Sequence, residues 1–212
     1  TGGTRKILID SGIKVQSLEK LIDSKPLMGG RVKTLHPRIF GGILADRNNK
    51  DHLSDLALLN GLEIDLVVVN FYPFINEVIN KKNNSKNAIE FIDIGGPSMI
   101  RAAAKNYNYV IPLIKPEFYK NFINIFEDNH GIIPLKYKKI LAAHVFNTTA
   151  IYDAAISSYL NHRQDVLPEQ TILSLKKYNN LRYGENPHQK AAFYLASDGK
   201  YPLIQHHGKK LS

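Results

Sequence analysis

An α/β sandwich around a mainly parallel sheet is the fold this sequence predicts, and three observations predict it. Asp65-Leu66-Val67-Val68-Val69-Asn70 is a continuous β-branched run with polar ends, the pattern of a parallel strand buried on both faces. Tyr109 to Ile114 (YVIPLI) reads as a second strand. Between such runs lie segments whose apolar residues recur at helical spacing, and that alternation marks a parallel sheet covered by helices.

Taken in order, the chain opens on Thr1-Gly2-Gly3-Thr4. A glycine pair reads as a turn that follows an earlier element, so the chain is expected to be a fragment. Ile43-Leu44-Ala45 is expected as a short third strand, and Asp51 to Asn60 as a helix. Pro97 to Asn106 has Pro at a first-turn position after two glycines, a good helix start. Pro116 to Asp128 is amphipathic. Pro134 to His162 is the longest helical stretch, one helix or two, with Leu141, Phe146, Ile151 and Tyr159 among its packing residues. Residues 164–180 read as a connection holding one short strand at Thr171 to Leu175. Leu181 to Gln189 (LRYGENPHQ) follows, and Lys190 to Leu195 is expected as a strand. About thirty residues are too few for a core of their own, so this last stretch is expected to open a second domain.

Composition narrows the function. The 212 residues hold 43% hydrophobic and 22% charged side chains, which suits a folded core and excludes wholesale disorder. Cysteine is absent, which removes disulfides, thiolate metal sites and cysteine nucleophiles. No apolar run approaches the roughly 20 residues that span a bilayer, and no signal peptide opens the chain, so a cytoplasmic protein with no membrane partner is expected. Lys+Arg at 28 against Asp+Glu at 19 leaves a net charge of +9. That charge is scattered in pairs such as Lys81-Lys82, Lys138-Lys139, Lys176-Lys177 and Lys209-Lys210. No arginine-rich stripe or aromatic platform accompanies it, so no nucleic-acid partner is expected and a solvated surface with room for a small anionic ligand is.

Four clusters can carry chemistry. Thr1-Gly2-Gly3-Thr4 offers backbone N–H groups and hydroxyls to an anion, or is an ordinary turn. In Gly29-Gly30-Arg31-Val32-Lys33-Thr34-Leu35-His36-Pro37, an extended chain would put Arg31 and Lys33 on one side; they face an anion or form a basic surface loop. Asn70-Phe71-Tyr72-Pro73-Phe74 follows the strongest strand. Ligands of open α/β sheets bind beyond the carboxyl ends of strands, which places the Asn70 amide and the Tyr72 phenol well. In the fourth, Asp93-Ile94-Gly95-Gly96 feeds a helix N-terminus where free N–H groups favour anions. Ser98, Arg101 and Lys105 then share one helix face, either lining a site, with Lys105 as an acid or base of lowered pKa, or as a solvated basic stripe. The eight histidines show no metal-ligand spacing, and no phosphate-binding Walker loop, GxGxxG or GxSxG motif occurs. No metal is expected.

With these clusters in order, the chain closely resembles the PurH family of bifunctional purine-biosynthesis enzymes, which joins an IMP cyclohydrolase to an AICAR formyltransferase. The segments TGGT, GGRVKTLHP, DLVVVNFYPF, IDIGGPSMIRAAAKN and LRYGENPHQ carry the resemblance and span nearly the whole chain. It implies a methylglyoxal-synthase-like (MGS-like) three-layer α/β sandwich over residues 1–163, lacking its first strand and the Ser/Lys-bearing loop that precede TGGT. It further implies a linker over 164–180 and the start of a second, transferase domain over 181–212. Residues 22–26 (IDSKP) stand where the family has a TGFPE-like segment.

The resemblance also implies roles. Thr1, Gly2, Gly3 and Thr4, with Arg31, Val32, Lys33 and Thr34, would bind the phosphate and ribose of a nucleotide. Val69, Asn70, Asp93 and Ile94 would line the base pocket beside Tyr72. Lys105 would be the cyclohydrolase acid/base, with Lys33, Tyr72 and Asp93 sharing the catalysis. Arg182 and Tyr183 would be the first AICAR contacts of the transferase. The expected reaction is closure of formyl-AICAR (FAICAR) to IMP with loss of water, which calls for no cofactor. 10-Formyltetrahydrofolate would serve the transferase part as co-substrate, and family members are homodimers. The competing expectations are an MGS-like module that binds a nucleotide without chemistry, or a degenerate fragment without catalysis.

Overall fold

The β-branched run forms strand β1 (Leu66–Val69), paired in parallel with β2 (Ile111–Ile114), Leu66 lying opposite Ile111 and Val69 opposite Ile114. The structure, a computed structural model, describes residues 2–25, 27–71, 74, 88–161, 169–196 and 206–208. Thr1, Tyr72, Pro73, the Lys81 to Asn87 loop, the expected domain boundary at residue 163 and Lys209-Lys210 lie outside the described residues. The chain divides into two units, Thr1–Ala150 and Ile151–Ser212.

In the first unit, α1 (Gly2–Asp10) and the short α2 (Leu18–Ile22) precede a 3-10 turn at Met28–Gly30. Helices α3 (Pro37–Leu44) and α4 (Lys50–Leu58) follow, then β1 and a second 3-10 turn at Ala88–Phe91. Helix α5 (Gly95–Lys105) leads to β2, after which come α6 (Tyr119–Asp128) and α7 (Leu135–Asn161), whose residues from Ile151 onward belong to the second unit. Helix α5 is the centre of the packing, touching α3, β1 and β2. Its Ile100, Ala102, Ala103 and Ala104 are buried together with Ile39 and Ile43 of α3, Val67 and Val69 of β1, Ile114 of β2 and Val145 of α7. Three consecutive alanines let the helix axis approach its neighbours closely while large side chains on the sheet fill the space.

The second unit contains the antiparallel pair β3 (Leu175–Asn180) and β4 (Ala192–Ala196), with Leu175 opposite Ala196 and Asn180 opposite Ala192.

Several expectations are corrected. Ile43-Leu44-Ala45 is not a strand, because Ile43 and Leu44 complete α3. His36 caps that helix by accepting the Arg38 N–H at 3.2 Å, and Pro37 supplies the first-turn φ, so start signals outweigh the β-branched residue at its end. The Gly2-Gly3-Thr4 segment is the first turn of α1 rather than a free turn. β1 is buried on one face only: Val67 and Val69 point inward while Leu66 and Val68 are exposed, since among the described residues nothing covers that side. Residues 31–34 do not form a continuous extended stretch: Arg31 has helical backbone angles and closes the Met28–Gly30 turn, Val32 makes an isolated bridge with Leu27, and Lys33 and Thr34 lie in a bend, so simple alternation of side chains does not apply. Of the two readings of the Pro134 to His162 stretch, one helix or two, the structure has one, α7. The strand expected at Thr171 to Leu175 begins at Leu175 and runs into the supposed connection, where it can pair with β4.

Asn106, just past α5, was legible only as the end of a helix. Its side-chain amide donates to the carbonyls of Ile43 at 2.7 Å and Ala45 at 3.0 Å, satisfying the end of α3. Asn106→Ala is expected to destabilise the first unit by roughly 1–3 kcal/mol, because two partly buried carbonyls lose their donor. A lower denaturation midpoint with an unchanged denaturant slope checks it.

Candidate active site

The site is built where two loops meet at the carboxyl end of β1. Helix α5 starts there without a side-chain cap on its first residue; instead the Asp93 carboxylate accepts the Gly96 N–H through Oδ1 at 3.0 Å. This acidic group at a helix start is favourable, since the free N–H groups carry partial positive charge. Both glycines of the turn are required by close approach. A Cβ on Gly96 would lie 2.4 Å from Asp93 Oδ2 and 3.0 Å from Val69 Cγ1, and one on Gly95 would lie 2.6 Å from Thr34 Oγ1. Thr34, Val69, Asp93, Gly95 and Gly96 are therefore brought together. Ile94, between them, is 58% exposed, an apolar surface beside a polar turn.

Residues 31–34 bridge this turn to a second feature. Thr34 abuts Gly95, whereas its neighbour Lys33 lines a cleft of about 240 Å³. Gly2, Thr4 and Arg5 at the start of α1 line the same cleft, together with Gln16, Ser17, Glu19 and the methylene surfaces of Leu8 and Leu18. Arg5 is a residue the sequence reading missed; its place one residue after TGGT, in the first turns of a helix, was the available signal. Glu19 is held below the usual carboxylate range by its own backbone N–H, with the Ser17 hydroxyl and the charges of Lys33 and Arg5 adding to it. Two cations and one ionised carboxylate leave the cleft able to accept an anion.

Arg31 is directed elsewhere, forming an ion pair with Glu90 on the 3-10 turn that leads to Asp93. Both side chains are more than half exposed, so the pair is an adjustable tie between the two loops rather than a large source of stability. Val32 makes an isolated bridge with Leu27 and so shapes the loop. Asn70, exposed at the end of β1, accepts a hydrogen bond from the Tyr119 hydroxyl at 3.0 Å.

The Ser98–Arg101–Lys105 face is not one site. Ser98 donates back to the Ile94 carbonyl at 2.7 Å. Arg101 turns to α7, donating to the buried Thr149 hydroxyl at 3.3 Å with its guanidinium 5.4 Å from the Phe146 ring centre. Helical spacing aligned these residues correctly, but the face lies partly against another helix. Lys105 is exposed at the last turn of α5. Ten residues of helix at about 1.5 Å each put its backbone roughly 15 Å from Gly95, so the structure does not bring Lys105 to Asp93 and Thr34. Thr1 and Tyr72 lie outside the described residues.

In the second unit, Arg182 and Tyr183 sit on the segment joining β3 to β4, the guanidinium 5.8 Å from the Tyr183 ring centre. Gln189 braces that segment: its carbonyl accepts the Gly184 N–H and its side-chain oxygen the Asn186 N–H, both at 2.9 Å. Among the described residues, no group of three or more His, Asp or Glu side chains is placed to hold a metal ion, and no helix is long and apolar enough to cross a membrane.

The arrangement can be set beside known proteins. The family model described as "AICARFT/IMPCHase bienzyme" matches residues 103–212, more than half of the chain. The chain belongs to the AICARFT/IMPCHase bienzyme family. The MGS-like domain model matches residues 1–98, in agreement with the parallel α/β arrangement of the first unit. Among relatives of this family, the bifunctional purine biosynthesis protein PurH of Clostridium botulinum (strain 657 / Type Ba4) is 47% identical over 215 residues, covering 100% of this chain and 42% of that protein. The PurH of Leuconostoc mesenteroides is 44% identical over 216 residues, with the same coverage of 100% and 42%. The chain thus spans less than half the length of these relatives. The crystal structure of ForH superposes with a TM-score of 0.65 at 33% identity, covering 74% of this chain and 82% of that one.

Proposed function

We propose that the first unit binds a purine mononucleotide and closes the ring of formyl-AICAR to give IMP, as the cyclohydrolase part of a cytoplasmic, homodimeric purine-biosynthesis enzyme. In this reading residues 1–163 are the cyclohydrolase domain, 164–180 the linker and 181–212 the start of the formyltransferase domain. One observation carries the reading: the adjacent residues Lys33 and Thr34 join a cationic cleft to the Asp93-Gly95-Gly96 turn. A mononucleotide needs that pairing, an anion site for its phosphate and a polar turn at the carboxyl end of a strand for its base.

Closure joins the carboxamide nitrogen to the formyl carbon, after which the resulting hydroxyl leaves as water. An amide nitrogen is a weak nucleophile, so orientation and stabilisation of the developing oxyanion dominate the barrier. The phosphate and ribose are assigned to Thr1 to Thr4, Arg31, Val32, Lys33 and Thr34, with Arg5 beside them. Val69, Asn70 and Ile94 are assigned to the base. Asp93 orients the carboxamide and takes its proton. Lys33, Lys105 and the Tyr72 hydroxyl are assigned to oxyanion charge, and Lys105 to proton transfer as well. In the complete enzyme, Arg182 and Tyr183 contact AICAR, and 10-formyltetrahydrofolate supplies the formyl group.

Absorbance measurement of formyl-AICAR closure tests this reading. The wild-type chain is expected to turn over, and Lys33→Ala to lose about 100-fold in kcat/KM. Lys105→Ala is the sharper probe, because its assignment rests on the RAAAKN motif and not on proximity to Asp93. Near-normal turnover of Lys105→Ala would remove it from the chemistry, and IMP binding without any wild-type turnover would leave a binding module instead.

A further inference from the structure

We infer that Asn60-Gly61 is a site of spontaneous deamidation held in check by the folded turn after α4. Conversion of Asn60 follows opening of that turn and, where the product is isoaspartate, weakens the lead into β1.

The turn itself dictates the pair. Two bonds close α4: the Asn60 N–H donates to the Ala57 carbonyl and the Gly61 N–H to the Leu56 carbonyl, both at 2.9 Å. This is the Schellman arrangement, which favours glycine or asparagine in the left-handed region at the first position past the cap, and Asn60 has a φ of 50°. The next position makes a different demand. A Cβ on Gly61 would run into Leu56 Cδ1, and Leu56 is buried, so glycine is the residue that fits. Together the two demands produce the one Asn-Gly pair of the sequence, with Asn60 exposed to water.

Asparagine followed by glycine is chemically labile, because no side chain shields the amide nitrogen that follows. That nitrogen, after losing its proton to a base in solution, attacks Asn60 Cγ. The Cγ–Nδ2 bond breaks, ammonia leaves, and a cyclic succinimide results. Water then opens the ring at either carbonyl, giving aspartate or isoaspartate. In the folded chain the Gly61 N–H is already donated to Leu56, so this bond must open before the nitrogen can attack. A turn at a helix end opens locally more easily than the whole fold does. Isoaspartate carries one more methylene in the backbone, and the segment beyond it has little room to absorb the change. The Ile64 N–H donates to the Gly42 carbonyl at 3.1 Å, the Asp65 carbonyl accepts the Ile111 N–H at 2.8 Å, and a Cβ on Gly42 would run into the Leu62 carbonyl oxygen.

The chain is incubated at mildly alkaline pH, folded in buffer and unfolded in guanidinium chloride. Asn60 is followed by peptide mapping with mass spectrometry that separates aspartate from isoaspartate. Deamidation at Asn60 is expected in both samples and at least roughly tenfold slower in the folded one, the factor that one held hydrogen bond supplies. Chain carrying isoaspartate is expected to unfold at a lower denaturant concentration than fresh chain. Asn60→Gly keeps a residue suited to the left-handed region and is expected to fold while losing the modification. Equal rates in the folded and unfolded samples would overturn the inference, because the turn would then give no protection. No deamidation at Asn60 in the unfolded chain would overturn it as well. An isoaspartate-bearing chain with the midpoint of fresh chain would overturn the claimed weakening of the lead into β1.

Discussion

Asp93→Asn is expected to lower ring closure by about 100-fold or more while leaving the melting temperature nearly unchanged. The separation follows from what each carboxylate oxygen does. Oδ1 accepts the Gly96 N–H at 3.0 Å and so starts α5; the carbonyl oxygen of an asparagine can accept the same bond. What disappears is the negative charge and the proton-accepting capacity at the mouth of the turn. Asp93→Ala, by contrast, also removes the cap, and an added loss of about 1 kcal/mol in stability is expected. Turnover assays paired with thermal unfolding of the two variants check the separation. Wild-type turnover in Asp93→Asn would show that the carboxylate is structural alone.

Gly96→Ala is expected to reduce both stability and nucleotide binding, although alanine favours a helix by up to roughly 1 kcal/mol over glycine. The new methyl would stand 2.4 Å from Asp93 Oδ2 and 3.0 Å from Val69 Cγ1. Neither neighbour can yield cheaply, because Val69 is buried in the core and Asp93 is tied to the turn by its own hydrogen bond. Overpacking of this kind typically costs about 1–3 kcal/mol, which exceeds the propensity gain. Relief of the contact requires the Asp93 carboxylate to move, so binding should fall with stability. A denaturation midpoint at or above wild type, with unchanged IMP affinity, would contradict the geometry of the turn.

Much of this architecture was legible in the sequence because local rules and tertiary packing agree. Leu66–Val69 has β-branched residues and a parallel neighbour, and Pro97 falls in the first turn of α5 as its position after a glycine pair suggested. Where they disagree, the reading failed. Ile43 and Leu44 look like a strand in isolation, yet the His36 cap and Pro37 had already committed them to α3. Burial of β1 on both faces was read from its apolar run, but an apolar run records tolerance for burial and not the presence of a cover. The site shows the same division. Motif positions such as Thr34, Asp93 and Gly96 meet in space, whereas the face shared by Ser98, Arg101 and Lys105 is divided among unrelated contacts. Glu90 and Tyr119 could not be found by spacing, because their contacts come from long-range approach to Arg31 and Asn70.

The scattered charge of +9 also takes on a definite use at few positions. Arg5 and Lys33 line the cleft, Arg31 ties two loops together, and Arg101 fastens α5 to α7. Arg47 is engaged in structure as well, reaching Asp65 at 2.8 Å and Glu63 at 3.2 Å near the start of β1. In the proposed function, anion recognition falls to Arg5 and Lys33 of the cleft.

In the proposed function, residues 33–34 and the 93–96 turn form one nucleotide site. Amide spectra of the chain, recorded by nuclear magnetic resonance during titration with IMP, test it most directly. The backbone amides of Lys33, Thr34, Gly95 and Gly96 are expected to shift together and saturate at one IMP concentration. Saturable binding that leaves those four amides unmoved, or shifts the two loops with different affinities, would contradict it.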